Sequence, residues 1–225
     1  MHWRAMGHSY GVPVGSDWAD KADSDGIFGL YKRCGSFCLE EVCILFECAR
    51  QLPGIWLDIG AHTGWTTLHL LEAGRLVAAV EPMWRVEEFK ARALENMDGA
   101  NGDLETFDMR SDEFFAGPAA IYCETGFSGV VIDGDHDEPC PINDAKNAHK
   151  HLAKDGVILF HDAIGRPVQD GILWLIEQGY KCKVYSTPHV VACCWRGDFV
   201  PPEHVADPRV KTSVREYLGG IAEYA

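Results

Sequence analysis

The segment Trp56-Leu57-Asp58-Ile59-Gly60-Ala61-His62-Thr63-Gly64 runs from a short apolar stretch into a glycine turn and then into residues with a helical period. A turn of this kind gathers backbone amides at one point, and its glycines let a ligand approach them closely. Twenty-three residues beyond Asp58, Glu81 stands at the end of the next apolar run, followed by Pro82. An acidic side chain in that place accepts the two hydroxyls of a ribose, as nucleotide-binding α/β folds generally arrange it. The plainer alternative is that Gly60 and Gly64 only permit close strand–helix packing and that Glu81 is a solvated loop carboxylate. The turn does not read G-x-G-x-x-G, because His62 occupies the second glycine place. A diphosphate would be crowded there, and a nucleoside without phosphates would not.

Outward from the turn, strand-like and helix-like segments alternate. Leu39, Val42, Cys43, Leu45, Phe46 and Ala49 give residues 38–52 an apolar helical face, ended by Pro53-Gly54. Strands are expected over 55–59, 76–80, 104–107, 129–132 and 157–160, with helices over 64–73, 86–97, 142–152 and 167–178 and a turn at Asp155-Gly156. Short, continuous apolar runs are what strands covered on both faces should show. The order predicts an α/β fold, a Rossmann-like, doubly wound, mostly parallel sheet with helices on both faces. Residues 180–185 and 190–195, joined through Thr187-Pro188, read as an antiparallel pair that gives the sheet an antiparallel edge strand. Three regions are expected: an irregular Gly-, Asp- and Ser-rich segment over 1–37, a candidate lid; a main domain over 38–197; and a tail over 198–225 with a helix from about 209 to 224.

Composition narrows the function classes. The length suits one domain of generous size, and 47% apolar with 24% charged residues suits a globular chain. The formal net charge is −14, and it stays negative even with all ten His protonated, so a nucleic-acid backbone is a poor partner. No apolar run approaches a bilayer span and Met1-His2-Trp3-Arg4 lacks a secretion-signal plan, so a soluble, cytoplasmic protein without a membrane partner is expected. A homo-oligomer is left open. The nine Cys fit no disulfide or metal framework; the spacing of Cys34, Cys38, Cys43 and Cys48 matches neither a zinc nor an iron–sulfur run, and buried thiols are expected.

A second constellation lies further on. Val131-Ile132-Asp133-Gly134-Asp135-His136 ends the fourth strand, and Leu159-Phe160-His161-Asp162 ends the fifth. Ligands of open parallel sheets bind beyond the carboxyl ends of the strands, so both clusters should face the cleft of the glycine turn. Asp133, His161 and Asp162 are candidate ligands of a divalent ion, and His136 is a candidate base. Equally ordinary roles are helix caps for the two Asp and loop hydrogen bonds for the two His.

Asp58-Ile59-Gly60-Ala61-His62-Thr63-Gly64 resembles the first motif of class I S-adenosylmethionine-dependent methyltransferases, with His62 in place of the middle glycine. The resemblance implies that Asp58 and the backbone of Gly60, Ala61, His62, Thr63 and Gly64 hold the methionine end of S-adenosyl-L-methionine, with Glu81 on its ribose. The adenine reader then falls after strand three, at Met109, Arg110 and Ser111, where many relatives carry an acid at the Arg110 place. Residues 38–197, with the Ile132-Asp133-Gly134-Asp135-His136 phrase, Asp144, Asp155-Gly156 and His161-Asp162, resemble the metal-dependent small-molecule O-methyltransferase branch, which includes macrolide-sugar O-methyltransferases and relatives grouped with cephalosporin hydroxylase. In that branch the fourth-strand Asp and an acidic pair hold magnesium. By position the metal ligands are Asp133, His161 and Asp162, and His136 with Asp133 is catalytic; Asp133 also flanks the cofactor. His161 stands where those enzymes carry an acid, which tilts a metal toward manganese, iron or zinc, or removes His161 from the ligand set. The glycine turn and Val80-Glu81-Pro82 also resemble a polyketide-tailoring O-methyltransferase branch.

The expected activity is thus methyl transfer from S-adenosylmethionine to a hydroxyl of a small-molecule acceptor. A nicotinamide-dependent oxidoreductase and a non-catalytic nucleotide-binding protein are the alternatives. Phe114, Phe115, Tyr122 and Phe127 are candidates to cover the acceptor or, more simply, to pack the core.

Overall fold

The computed structural model describes residues 37–206 and 208–225, so the expected lid, residues 1–36 of it, lies outside the described residues. In chain order the elements are α1 (Leu39–Gln51), β1 (Ile55–Ile59), α2 (Trp65–Glu72), β2 (Leu76–Val80), a 3-10 turn (Pro82–Arg85), α3 (Glu87–Met97), β3 (Asp103–Phe107) and α4 (Ser111–Ala116). A second 3-10 turn (Pro118–Tyr122), β4 (Phe127–Ile132), α5 (Cys140–His151), β5 (Leu152–Phe160), α6 (Arg166–Glu177), β6 (Lys181–Tyr185), β7 (Val191–Trp195) and α7 (Pro208–Val214) follow.

The seven strands form one sheet in the order β3-β2-β1-β4-β5-β7-β6. Pairings among β1 to β5 are parallel, and β7 runs antiparallel to both β5 and β6. The expected antiparallel pair is therefore present, with β7 inserted one place in from the β6 edge. The strand order reverses between β1 and β4, so the tips of β1, β2 and β4 open onto a shared crevice, the usual ligand position in such sheets.

Period-two alternation sends neighbouring strand residues to opposite cores. Trp56, Val77, Val131 and Cys193 enter the core covered by α1, α2 and α3, while Leu57, Ala78, Val130 and Cys194 enter the one covered by α4, α5 and α6. Each fully buried Leu, Ile or Val contributes roughly 1.5–3 kcal/mol from water exclusion. Phe114, Tyr122 and Phe127 pack together in the second core, their ring centroids 4.9–6.4 Å apart, so core packing and not acceptor contact explains these three.

Two local expectations change. Asp155-Gly156 does not separate α5 from β5: β5 already pairs at Leu152 with Phe127, and the two residues fall within an irregularity before Val157 meets Gly129. The carboxyl-terminal helix is interrupted after Val214 and continues as 3-10 turns over Arg215–Tyr217 and Gly219–Tyr224. Gly219, at φ +47, meets Gln169, whose amide donates to the carbonyls of Ala163 and Tyr217 and ties the tail to α6. The eight described cysteines are free thiols.

Candidate active site

The glycine turn is built by β1 and α2 and locked by β2. Gly60 N–H and Ala61 N–H both reach the Val80 carbonyl, at 3.0 and 3.4 Å, and Gly64 N–H closes the turn on Ala61 at 2.7 Å. Gly60 has φ +88, and a Cβ there would stand 2.1 Å from the Asp133 carbonyl oxygen, so the β1 and β4 tips approach as only glycine allows. His62 also has a left-handed backbone, φ +46; Trp84 Nε1 donates to its carbonyl at 2.7 Å, and its ring lies edge-on to Phe89. Thr63 is buried, with its carbonyl held by Asn96 Nδ2 at 2.9 Å.

Glu81 is nearly buried, and its carboxylate is aimed by two backbone donors, His62 N–H at 2.9 Å and Met83 N–H at 2.8 Å. Each oxygen keeps a further acceptor position. Asp58 is placed differently from Glu81: it lies fully buried beneath the turn, and its Oδ2 accepts the hydroxyls of Thr66 at 2.9 Å and Thr67 at 2.5 Å. Its Oδ1 has no partner among the described residues. Burial pushes the Asp58 pKa up to about 7, against the lowering effect of the two threonines.

A cavity of about 410 Å³ opens between these tips, with Gly60, His62, Glu81, Arg110, Asp133 and His136 among its lining residues. Ser111 also lines it, bonded to the buried Asp144, whose pKa burial raises to about 6. The Arg110 side chain is half exposed at the rim, 3.9 Å from Asp135. Thus Gly60, His62, Glu81, Arg110, Ser111 and Asp133 meet in one cavity, whereas Asp58, Ala61, Thr63 and Gly64 shape its wall without lining it.

The tips of β4 and β5 bring the second constellation together. His136 Nε2 lies 3.5 Å from Asp133 Oδ1 and 3.8 Å from Asp162 Oδ2, and one atom from each of the three falls within 4.8 Å of the others. Asp162 adopts φ +51. His161 is fully buried behind this set, with Nδ1 at 3.1 Å from Asp133 and 3.2 Å from Asp162. Its Nε2 faces Glu41 Oε2 at 3.2 Å, and its ring stacks on Phe37 with centroids 4.0 Å apart. Glu41, in the first turn of α1, also accepts His189 N–H at 3.1 Å and faces His189 Nδ1 at 3.2 Å.

Charge pairing orders these groups. Burial would raise the Asp133 carboxyl, but the imidazoles of His161 and His136 outweigh it and hold it below its usual range. His136 is raised above its ordinary value by its bond to Asp133. His161 is raised well above its own, the facing Asp133, Asp162 and Glu41 outweighing the effect of burial.

Glu41 and His189 are absent from the sequence-derived site. Glu41 had a signal: it sits on the apolar stripe of α1, four residues before Leu45 and seven before Cys48, where an acid needs a buried partner. His189 had none, since it falls in the turn between two strands.

Residues 57–163, which hold both constellations, match a family model described as a methyltransferase domain. The chain carries a class I S-adenosylmethionine-dependent methyltransferase domain. No curated protein matches the sequence. Among solved structures, the Bacillus cereus O-methyltransferase in complex with S-adenosylhomocysteine is 12% identical, with TM-score 0.59, 81% of this chain and 98% of that one covered. The Streptomyces achromogenes O-methyltransferase involved in tomaymycin synthesis is 15% identical, with TM-score 0.55 and coverage of 81% and 97%. A Geobacter sulfurreducens methyltransferase is 14% identical, with TM-score 0.58 and coverage of 81% and 95%. At these identities the likeness is one of fold. The methyltransferase match displaces the nicotinamide oxidoreductase and the non-catalytic binder as readings of this crevice. Among the described residues, no helix is long and apolar enough to cross a membrane.

Proposed function

We propose that the methyltransferase acts on a hydroxyl of a small molecule, with S-adenosylmethionine seated across the glycine turn. The observation that carries this reading is that Asp133 and His136 line the same 410 Å³ cavity as Gly60 and Glu81, with Asp162 beside the two. The cradle fits the nucleoside: Gly60 lets the backbone approach, and Glu81 offers a buried carboxylate already oriented by two amides. Arg110 and Ser111 stand where the adenine would lie, and the strongly negative chain favours a small acceptor over a nucleic acid. Fold likeness to two O-methyltransferases supports the oxygen acceptor.

S-adenosylmethionine supplies a methyl group on a positively charged sulfur, and its transfer needs alignment and removal of the acceptor's proton. Glu81 and the turn fix the nucleoside end. His136, 41% exposed and beside the cavity, accepts the hydroxyl proton, and Asp133 steadies the imidazolium that results. The carboxylates of Asp133 and Asp162 would hold a divalent ion such as magnesium or manganese, which would supply Lewis acidity near the acceptor oxygen, with the His136 imidazole kept for the proton. His161 lies behind these carboxylates and orients them from the buried side. Turnover of the full chain with hydroxylated acceptors, assayed with and without chelator, tests the reading. Methylation of no hydroxyl in a broad panel by a protein that binds the cofactor would turn it to another acceptor atom, and full activity after exhaustive chelation would remove the ion.

A further inference from the structure

Behind the catalytic crevice, three side chains from distant parts of the chain point at one spot. Glu41 comes from the first turn of α1, His161 from the tip of β5 and His189 from the β6–β7 turn. Glu41 and His161 are completely buried, and His189 is 31% exposed. His161 Nε2 and His189 Nδ1 are each 3.2 Å from Glu41 Oε2, and the three donor atoms lie within 4.8 Å of one another. Ligands on one ion at bond lengths of about 2.0–2.1 Å stand roughly 3.0–3.4 Å apart. The observed pairs already have that spacing.

We propose that Glu41, His161 and His189 form a binding site for a first-row transition-metal dication, distinct from the set of Asp133, His136 and Asp162. Two imidazoles and one carboxylate favour zinc, iron(II) or manganese and disfavour magnesium, which takes oxygen ligands. The surroundings have the form of an outer shell. Metal-bound imidazoles typically donate their other ring N–H to a carboxylate, and His161 Nδ1 faces Asp133 and Asp162 at 3.1 and 3.2 Å. Glu41 is held in turn by the backbone N–H groups of Cys38 at 2.8 Å and His189 at 3.1 Å. One ring therefore connects the two sets, with Nε2 on the buried ion and Nδ1 on the carboxylates of the crevice. An ion there pins α1 and the β6–β7 turn to the tip of β5 and fixes the orientation of Asp133 and Asp162. The site does not depend on which acceptor is methylated, or on cofactor binding.

The test uses the full chain, stripped with a chelator, reloaded with zinc alone, passed through a desalting column and analysed for metal by mass spectrometry. Wild type is expected to keep one zinc per chain. Glu41→Gln and His189→Ala should lose it, while His136→Ala keeps it. X-ray absorption of the zinc-loaded wild type should show two imidazoles, a readout that needs no variant to fold. Failure of wild type to retain zinc, retention by both Glu41→Gln and His189→Ala, loss confined to His136→Ala, or a spectrum without imidazole scattering would each overturn the proposal.

Discussion

Glu81 accepts the backbone N–H of His62 at 2.9 Å, so the tip of β2 and the glycine turn after β1 are one rigid unit. The carboxylate is positioned before any ligand arrives, which lowers the ordering cost of binding. Glu81→Gln keeps the shape but loses the charge-assisted bonds, each worth about 1.5–3 kcal/mol. Affinity for S-adenosylhomocysteine should fall by roughly tenfold or more, and because the amide sets an N–H against one of the two backbone donors, the melting temperature should fall by a few degrees as well. Calorimetry on both proteins checks this, and unchanged affinity would remove Glu81 from the ribose.

The close approach of Gly60 to the Asp133 carbonyl makes Gly60→Ala a test of the crevice wall. The left-handed backbone alone costs a non-glycine residue about 1–3 kcal/mol, and the clash adds to it. At about 2–4 °C per kcal/mol for a chain of this size, a melting shift of several degrees is expected. A thermal scan with no shift would mean that β4 stands further from the turn.

Asp58 predicts a pH dependence of stability. Its folded-state pKa of about 7 exceeds the ordinary value of about 3.9, so between those values the folded protein holds a proton that the unfolded chain has released. Stability contributed by this group is full below about pH 4, declines as pH rises toward 7, and is gone above that. Asp58→Asn keeps an oxygen for Thr66 and Thr67 and removes the ionisation, so the variant should gain roughly 1–3 kcal/mol on wild type between pH 5 and pH 8. Urea unfolding at the two pH values measures the difference; parallel behaviour of the two proteins would contradict the assignment.

His136→Ala should lower turnover by about a hundredfold or more, the range of a lost general base, with cofactor affinity nearly intact because Glu81 and the turn are untouched. Turnover equal to wild type would take His136 out of proton transfer.

The parts of this molecule that were legible in its sequence share a physical cause. β1 and β2 begin and end where expected, because their apolar runs are bounded by Pro53-Gly54, Gly60, Gly74 and Glu81-Pro82, residues that punctuate the backbone. That Asp133 and His136 share a cavity with the glycine turn followed from strand tips facing one crevice. Contacts set by tertiary packing were not legible: Glu41 meets His161 across 120 residues and His189 across 148, and no local pattern encodes either pairing. The same holds for Asp58, whose place in the motif indicates the turn but not that its side chain faces α2. The carboxyl-terminal helix ends at Val214, where neither glycine nor proline marks a stop, so the break into 3-10 turns was not legible either.

The central claim is that the turn between β1 and α2, with Glu81, seats S-adenosylmethionine. Calorimetric titration of the full chain with S-adenosylhomocysteine, beside a titration with NAD, tests it most directly. Saturable one-to-one binding of the first and none of the second is predicted. A folded protein that takes up NAD, or that takes up neither compound, would contradict it.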